Sequence, residues 1–156
     1  DNDLKLTYYG LSSEDAGEHV FEVAIGGKST SVPFYLVVDG TGYVTLSKIE
    51  HIKSQEQLDK VLDESPLVII DFWADWCGPC HSLNPILLDL SHEMCDDITI
   101  VKVNVDEQES IAKKFGVESM PTMVFYAGKR GEVNRIVGVK DKDYLIKEIN
   151  STKNVE

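Results

Sequence analysis

The segment Asp71–Cys80, with the sequence DFWADWCGPC, places two cysteines three residues apart directly after an apolar run. The run Leu67–Trp73 is almost continuously apolar, which is typical of a strand covered on both faces. A helix is predicted over about Pro79–Met94, so Cys77 and Cys80 lie where a buried strand meets the first turn of a helix. Residues three apart on a helix face the same side, and the two sulfurs can therefore bond.

The place of the two cysteines also predicts their reactivity. Free backbone amides and the positive end of the helix dipole favour a thiolate, so we expect the pKa of Cys77 to lie below the value of about 8.5 of a free cysteine. Redox chemistry is the leading interpretation; a structural zinc half-site and an inert disulfide are the alternatives. Zinc normally needs four ligands, and no second Cys-x-x-Cys or closely spaced histidine pair follows, so no metal site is predicted.

The surrounding sequence alternates β-rich runs with amphipathic helical stretches from residue 43 onward. Strands are predicted at Tyr43–Lys48, Leu67–Trp73, Ile98–Asn104, Thr122–Ala127 and Val133–Val137, and helices at Ser54–Glu64, Pro79–Met94, Gln108–Phe115 and Lys142–Asn150. Pro85 lies inside the second helix and should kink it. This order of elements predicts an α/β fold in which helices cover both sides of a mixed sheet.

Trp-Cys-Gly-Pro-Cys after Asp-Phe-Trp-Ala resembles the active site of the thioredoxin family. The similarity continues through Pro85, Lys102, Met120-Pro121-Thr122 and Gly138. The resemblance covers about residues 43–150 and implies a thioredoxin fold, a mixed central sheet flanked by helices. It also implies reduction of protein disulfides without a metal or organic cofactor, through a redox-active disulfide between Cys77 and Cys80.

The resemblance gives each catalytic residue a role. Cys77 would be the exposed nucleophile that attacks a substrate disulfide, and Cys80 the shielded thiol that resolves the mixed disulfide. Asp71 would be a buried carboxylate that exchanges a proton with Cys80. Burial should raise the pKa of Asp71, and Lys102 would limit the rise. The alternatives are purely structural: Asp71 could be a core carboxylate whose polar atoms are paired, and Lys102 could be a side chain that extends its ammonium to solvent.

The resemblance also implies a substrate-binding surface. Pro121 would be a cis-proline facing the disulfide, and the backbone of Met120 would pair with an extended substrate strand. A shallow apolar docking surface would be framed by Trp76, Val137 and Gly138. Gly78 and Pro79, between the cysteines, belong to the same predicted site. His81, next to Cys80, could make the reduction potential depend on pH, or be a solvated side chain; Cys95 is interpreted as a passive thiol.

Residues 1–42 contain no helix signal and read as three strands, at Leu4–Tyr9, His19–Ile25 and Ser29–Val38. Apolar residues alternate along the second run, which predicts one apolar face. Pro33 inside the third run predicts an edge strand or a bulge. Three strands of this kind make an incomplete fold, because one apolar face must be buried against something else.

The stretch Ser13–Phe21 resembles the E–F corner and F strand of an immunoglobulin-like domain. His19 stands in place of the corner tyrosine and Phe21 in place of the cysteine. Residues 1–42 are therefore interpreted as a partial, all-β immunoglobulin-like extension that holds the last three strands of seven, followed by the thioredoxin domain at 43–156. The alternative is a β-extension peculiar to one family. An unpaired apolar sheet predicts self-association by strand exchange, or a partner chain.

The net charge and the lengths of the apolar runs limit the classes of partner that the sequence predicts. The 156 residues include 27 acidic and 15 basic side chains, a net charge of −12, which argues against nucleic acid and anionic membranes. No apolar run approaches the roughly 18–20 residues of a membrane span. The expected partners are protein disulfides and a thioredoxin reductase or equivalent electron donor. Gly-Pro between the cysteines favours a cytoplasmic reductase, with a periplasmic or secreted oxidoreductase and a binding or assembly module as alternatives.

Overall fold

The computed structural model describes the backbone of three N-terminal strands and the whole of residues 49–154. The three strands are β1 (Gly17–Ile25), β2 (Lys28–Val38) and β3 (Val44–Ser47). The chain divides into two compact units between Ile49 and Glu50.

The N-terminal strands form an antiparallel sheet in the order β1-β2-β3. β1 pairs with β2 along its whole length, from Gly17 opposite Leu36 to Ile25 opposite Lys28. The strands predicted at His19–Ile25 and Ser29–Val38 are thus confirmed. The strand predicted at Leu4–Tyr9 lies outside the described residues.

The strand predicted at Tyr43–Lys48 is present as β3, but it pairs with β2 rather than with the sheet of the second unit. β2 is therefore the central strand of its sheet, and the prediction that Pro33 marks an edge strand is wrong for the strand as a whole. The physical reason is the length of β3. It reaches along β2 only as far as Tyr35, so Pro33 is opposite Val20 of β1 and has no partner in β3.

The second unit is a mixed sheet with helices between its strands. Its elements are β4 (Glu50–His51), α1 (Gln55–Glu64), β5 (Val68–Trp73), α2 (Gly78–Glu93), β6 (Thr99–Asn104), α3 (Glu109–Lys114), β7 (Thr122–Tyr126), β8 (Glu132–Val137) and α4 (Lys142–Lys153). The strand order is β4-β6-β5-β7-β8. β4, β6 and β5 are parallel to one another, and β7 is antiparallel to both of its neighbours, β5 and β8. The predicted mixed sheet is confirmed. Within the part of the chain that the structure describes, no helix is long and apolar enough to span a membrane.

Side-chain caps explain where two of the helices begin. The Ser54 hydroxyl accepts the backbone N–H of Gln57 at 3.2 Å, as the sequence predicts, and starts α1. The Asp141 carboxylate accepts the N–H of Tyr144 at 2.8 Å and starts α4. Each cap pairs a backbone donor that the helix itself cannot use.

β5 lies in the middle of the sheet and of the core. Val68, Ile70 and Phe72 are fully buried and pack in one cluster with residues of α1 and α3. Asp71 is the one charged residue of this strand, and it is fully buried as well. The strand ends at Trp73, four residues before the first cysteine of the motif, so the core itself fixes the start of the site.

Candidate active site

Cys77 and Cys80 form a disulfide at the N-terminus of α2, with their Cα atoms 5.3 Å apart. Cys77 is the N-cap residue of this helix, and its sulfur accepts the backbone N–H of Cys80 at 3.2 Å. Gly78 and Pro79 form the start of the helix between them. Because an amide and the positive end of the helix dipole lie at the Cys77 sulfur, this position favours a thiolate after reduction.

Cys77 is more buried than the resemblance implies. Its residue exposure is 4%, against 1% for Cys80, so the expectation of an exposed nucleophile is wrong for the disulfide form. The apolar residues that pack with or around the pair are Trp73, Ala74, Val105 and Met120.

Asp71 and Lys102 lie opposite each other on the neighbouring strands β5 and β6. Lys102 Nζ is 3.0 Å from Asp71 Oδ2, and both residues are buried. Burial raises the pKa of Asp71, and the charge of Lys102 opposes the rise. The structure therefore brings together the carboxylate and the cation that the sequence proposed as partners.

The indole of Trp73 lies against several polar side chains behind the disulfide. Its ring is in edge contact with His51 at 5.8 Å and with His81 at 6.2 Å, and Lys102 Nζ is 5.0 Å from its centroid. Burial, followed by the charge of Lys102, lowers the pKa of His51 to about 4. His51 is therefore uncharged at neutral pH, and Lys102 is the cation of this cluster.

Trp76 is 68% exposed and is held in place by the loop after β6. Its indole Nε1 donates to Asp106 Oδ2 at 2.9 Å. Asn104 Oδ1 accepts the Asp106 N–H at 3.0 Å, and the Asn104 amide reaches Asp75 at 3.4 Å. A large apolar ring on the surface is thus fixed by hydrogen bonds and does not need to be ordered when a substrate docks.

The Met120–Pro121 peptide bond is cis, as the resemblance implies. The Pro121 carbonyl accepts the N–H of Gly138 at 2.8 Å, and this ties the loop before β7 to the end of β8. Gly138 has φ +84°, a conformation that a side chain would strain. Val137, at the end of β8, is 53% exposed.

Of the two remaining candidates, Cys95 and His81, the first has no part in this arrangement. Cys95 is an exposed free thiol. Among residues 49–154 there is no group of three or more acidic, histidine or cysteine side chains that could hold a metal ion. His81 Nε2 lies 2.7 Å from the Asp75 carbonyl oxygen, which orients its ring across the start of α2.

The sequence did not identify Asn84, whose side-chain oxygen accepts a hydrogen bond from Lys102 Nζ. It also did not identify Asp106 and His51 as neighbours of the two tryptophans. A signal was present for Asn84, because it lies four residues after Cys80 on the same face of the predicted helix. No such signal exists for Asp106 and His51, since sheet pairing and loop closure bring them in from distant parts of the chain.

Comparison with known proteins gives a consistent assignment. The thioredoxin family model matches residues 48–151. Thioredoxin from Chlamydia caviae is 48% identical over 84 residues, which are 54% of this chain and 80% of that protein. Thioredoxin-T from Drosophila melanogaster is 48% identical over 79 residues, 49% of this chain; the match spans only half of that relative's length.

A solved structure agrees with these relatives. A mutant thioredoxin from Halobacterium salinarum superposes with a TM-score of 0.63 at 34% identity, covering 69% of this chain and 92% of that one. The second unit thus carries a thiol–disulfide oxidoreductase site, with Cys77 and Cys80 as its redox pair. The family model matches about two thirds of the sequence, and the fold and the disulfide agree with that match, so the chain belongs to the thioredoxin family.

Proposed function

We propose that this chain reduces protein disulfides by dithiol–disulfide exchange through Cys77 and Cys80. The observation that carries the proposal is the disulfide between these residues at the N-terminus of α2, where the helix favours the thiolate of Cys77 once the bond is reduced. The Gly-Pro pair between the cysteines supports the reducing direction. The redox-active disulfide is the reacting group, and the proposed cycle uses no metal or organic cofactor.

Each turnover exchanges one disulfide for another. The Cys77 thiolate attacks a substrate sulfur, forms a mixed disulfide and expels the second substrate sulfur as a thiolate, which takes up a proton. Cys80 then loses its proton and attacks the Cys77 sulfur. The Cys77–Cys80 bond forms, the mixed disulfide breaks, and its electron pair leaves with the remaining substrate sulfur. Two electrons pass from the dithiol to the substrate.

Asp71 is proposed to accept the proton that Cys80 loses. Its full burial and its raised pKa support this role, because a carboxylate with an ordinary pKa would be a poor proton acceptor at neutral pH. Lys102, 3.0 Å away, is proposed to keep the rise within a useful range.

A substrate is proposed to dock as an extended strand on the surface around the disulfide. The exposed side chains of Trp76 and Val137 offer apolar contact. The backbone of Met120, before the cis-proline, offers hydrogen bonds to the substrate strand. Gly78 and Gly138 have no side chain, which suits the close approach of a second backbone, and the exposed ring of Pro79 offers a further apolar contact.

The oxidised chain must be reduced again before the next turnover. A thioredoxin reductase, or an equivalent electron donor, is the proposed partner for this step. A reducing pair of this kind suits the cytoplasm, and a periplasmic or secreted location is the alternative. The acidic net charge of −12 argues against nucleic acid or an anionic membrane as a partner.

A second proposal concerns the N-terminal unit, which has a three-stranded sheet of its own. We propose that it is a binding or assembly module whose strands correspond to the last strands of an immunoglobulin-like domain. The hairpin of β1 and β2 supports this idea, whereas β3 adds a strand that the resemblance does not include. Its proposed role is to recruit a partner chain or a second copy by strand pairing.

Reduction of insulin disulfides by the full chain tests the catalytic proposal. Cys77→Ser should abolish activity, and Cys80→Ser should accumulate a mixed disulfide that is not resolved. Cys95→Ser is the matched control, because Cys95 is an exposed free thiol outside the pair, and it should leave the rate unchanged. Wild-type activity in Cys77→Ser would refute the assignment, and a measured reduction potential would establish the direction of exchange.

A further inference from the structure

The ammonium of Lys102 has three partners, contributed by two other elements. Asp71 and Trp73 approach it from β5, with the Asp71 Oδ2 atom at 3.0 Å and the centroid of the indole at 5.0 Å. Asn84 approaches it from α2 and accepts its hydrogen bond. Lys102 is 5% exposed, so these contacts stand in for water around the three N–H donors of the ammonium.

The Lys102 ammonium is shared between Asp71 and Asn84. Nζ lies within hydrogen-bond distance of Asp71 Oδ2, and both the charge of Lys102 and a hydrogen bond from it oppose the rise in the pKa of Asp71. Asn84 Oδ1 accepts a hydrogen bond from the same Nζ. Asn84 therefore competes with Asp71 for the donors of one ammonium, which weakens the hold of Lys102 on the carboxylate form of Asp71.

Asn84 is also well placed with respect to the redox pair. It lies one turn after Cys80 on α2, and residues four apart on a helix share a face. Its side chain thus links the ammonium to the helix that carries the resolving cysteine. The histidines that contact the Trp73 ring are His51 and His81. Burial and the charge of Lys102 lower the pKa of His51 to about 4, so His51 supplies no second cation at neutral pH.

We propose that Asn84 is a positioning residue for proton transfer, which shares the Lys102 ammonium with Asp71, weakens its hold on the carboxylate and so leaves Asp71 able to take up a proton. This inference rests on the proposed role of Asp71 as the acceptor of the Cys80 proton. Asn84 itself exchanges no proton, since a neutral amide has none to give at working pH. It acts through Lys102.

The test is to titrate the Asp71 carboxyl directly, by carbon-detected NMR on the full chain, with Asp71→Asn identifying the signal. In Asn84→Ala the ammonium loses its amide acceptor and turns to Asp71. The titration midpoint of Asp71 should then fall, by on the order of one pH unit. Asn150→Ala is the matched control, because it removes an exposed asparagine side chain from α4, and it should leave the midpoint unchanged.

Repeating Asn84→Ala in a variant without the Lys102 ammonium separates a positioning effect from a general loss of packing at the site. In Lys102→Met the ammonium is absent, so adding Asn84→Ala should no longer move the midpoint. A midpoint that is unchanged or higher in Asn84→Ala, or a shift that persists without Lys102, would overturn the proposal. The role of Asp71 is tested separately, by the rate of mixed-disulfide resolution in Asp71→Asn, and it can fail while the titration result stands.

Discussion

A single buried carboxylate, Asp71, makes the stability of the second unit depend on pH. Because its pKa is raised on folding, the native state holds the proton more tightly than the unfolded chain does. The stabilisation is complete below the unfolded pKa of about 3.9 and is lost as the pH rises through the folded pKa. Over that window the free energy of unfolding should fall by up to about 1.4 kcal/mol per pH unit relative to Asp71→Asn.

Urea unfolding at acid and at neutral pH measures this difference. Tryptophan fluorescence is the appropriate signal, since both tryptophans of the chain, Trp73 and Trp76, belong to the second unit. The free energy of unfolding of Asp71→Asn should rise relative to that of the wild type as the pH rises. A difference in unfolding free energy that stays constant, or that increasingly favours the wild type, would contradict a raised pKa of Asp71.

At the scale of elements, α4 depends on the cap at Asp141. Its carboxylate accepts the N–H of Tyr144, so Asp141→Ala leaves that donor without its partner and should cost about 1 kcal/mol of unfolding free energy. Asp141→Asn keeps an acceptor oxygen and should recover most of the loss, as measured by urea unfolding. Equal destabilisation by alanine and asparagine would show that charge, and not the hydrogen bond, is what matters at this position.

The elements of the second unit were largely predictable from local signals. Continuous apolar runs gave β5 and β6, and Ser54 marked the start of α1. β4 was not predicted, because a strand of two residues has no periodicity to detect. The partner of β3 was not predictable either, since its short run suits either sheet and only long-range pairing decides between them.

Much of the site was predictable from its motif, and the rest depends on tertiary contacts. The spacing of Cys77 and Cys80 indicated the disulfide, and the buried run around Asp71 indicated a desolvated carboxylate. The sequence did not show that Cys77 is buried, because Val105 and Met120, which pack against the cluster of Ala74, Cys77 and Cys80, come from other parts of the chain.

At the scale of the whole molecule, the two units can be separated by a cut after Ser47. The family match begins at residue 48 and the second compact unit at Glu50, so a chain that lacks residues 1–47 should retain full insulin-reducing activity. The cut falls after β3 because β3 pairs with β2 and belongs with the segment removed. Activity of the truncated and the full chain, at equal concentration, is the measurement.

Sedimentation of the same two proteins tests the assembly proposal. If the N-terminal strands drive self-association, the full chain should sediment as a larger species and the truncated chain as a monomer. A full chain that stays monomeric would argue against strand exchange. Loss of activity on truncation would show that the second unit needs the first for its fold or its chemistry.

The central position of β5 in the order β4-β6-β5-β7-β8 determines which parts of the sheet unfold locally and which stay protected. β5 is hydrogen-bonded on both sides and its residues 68–72 are at most 1% exposed, so its amide hydrogens should exchange with solvent only through the rarest and largest openings. The edge strands β4 and β8 have one described neighbour each and should fray far more often. Since Asp71 lies on β5 and Cys77 follows four residues after its end, fraying of the edge strands should leave the two sulfurs and the Asp71 carboxylate in place.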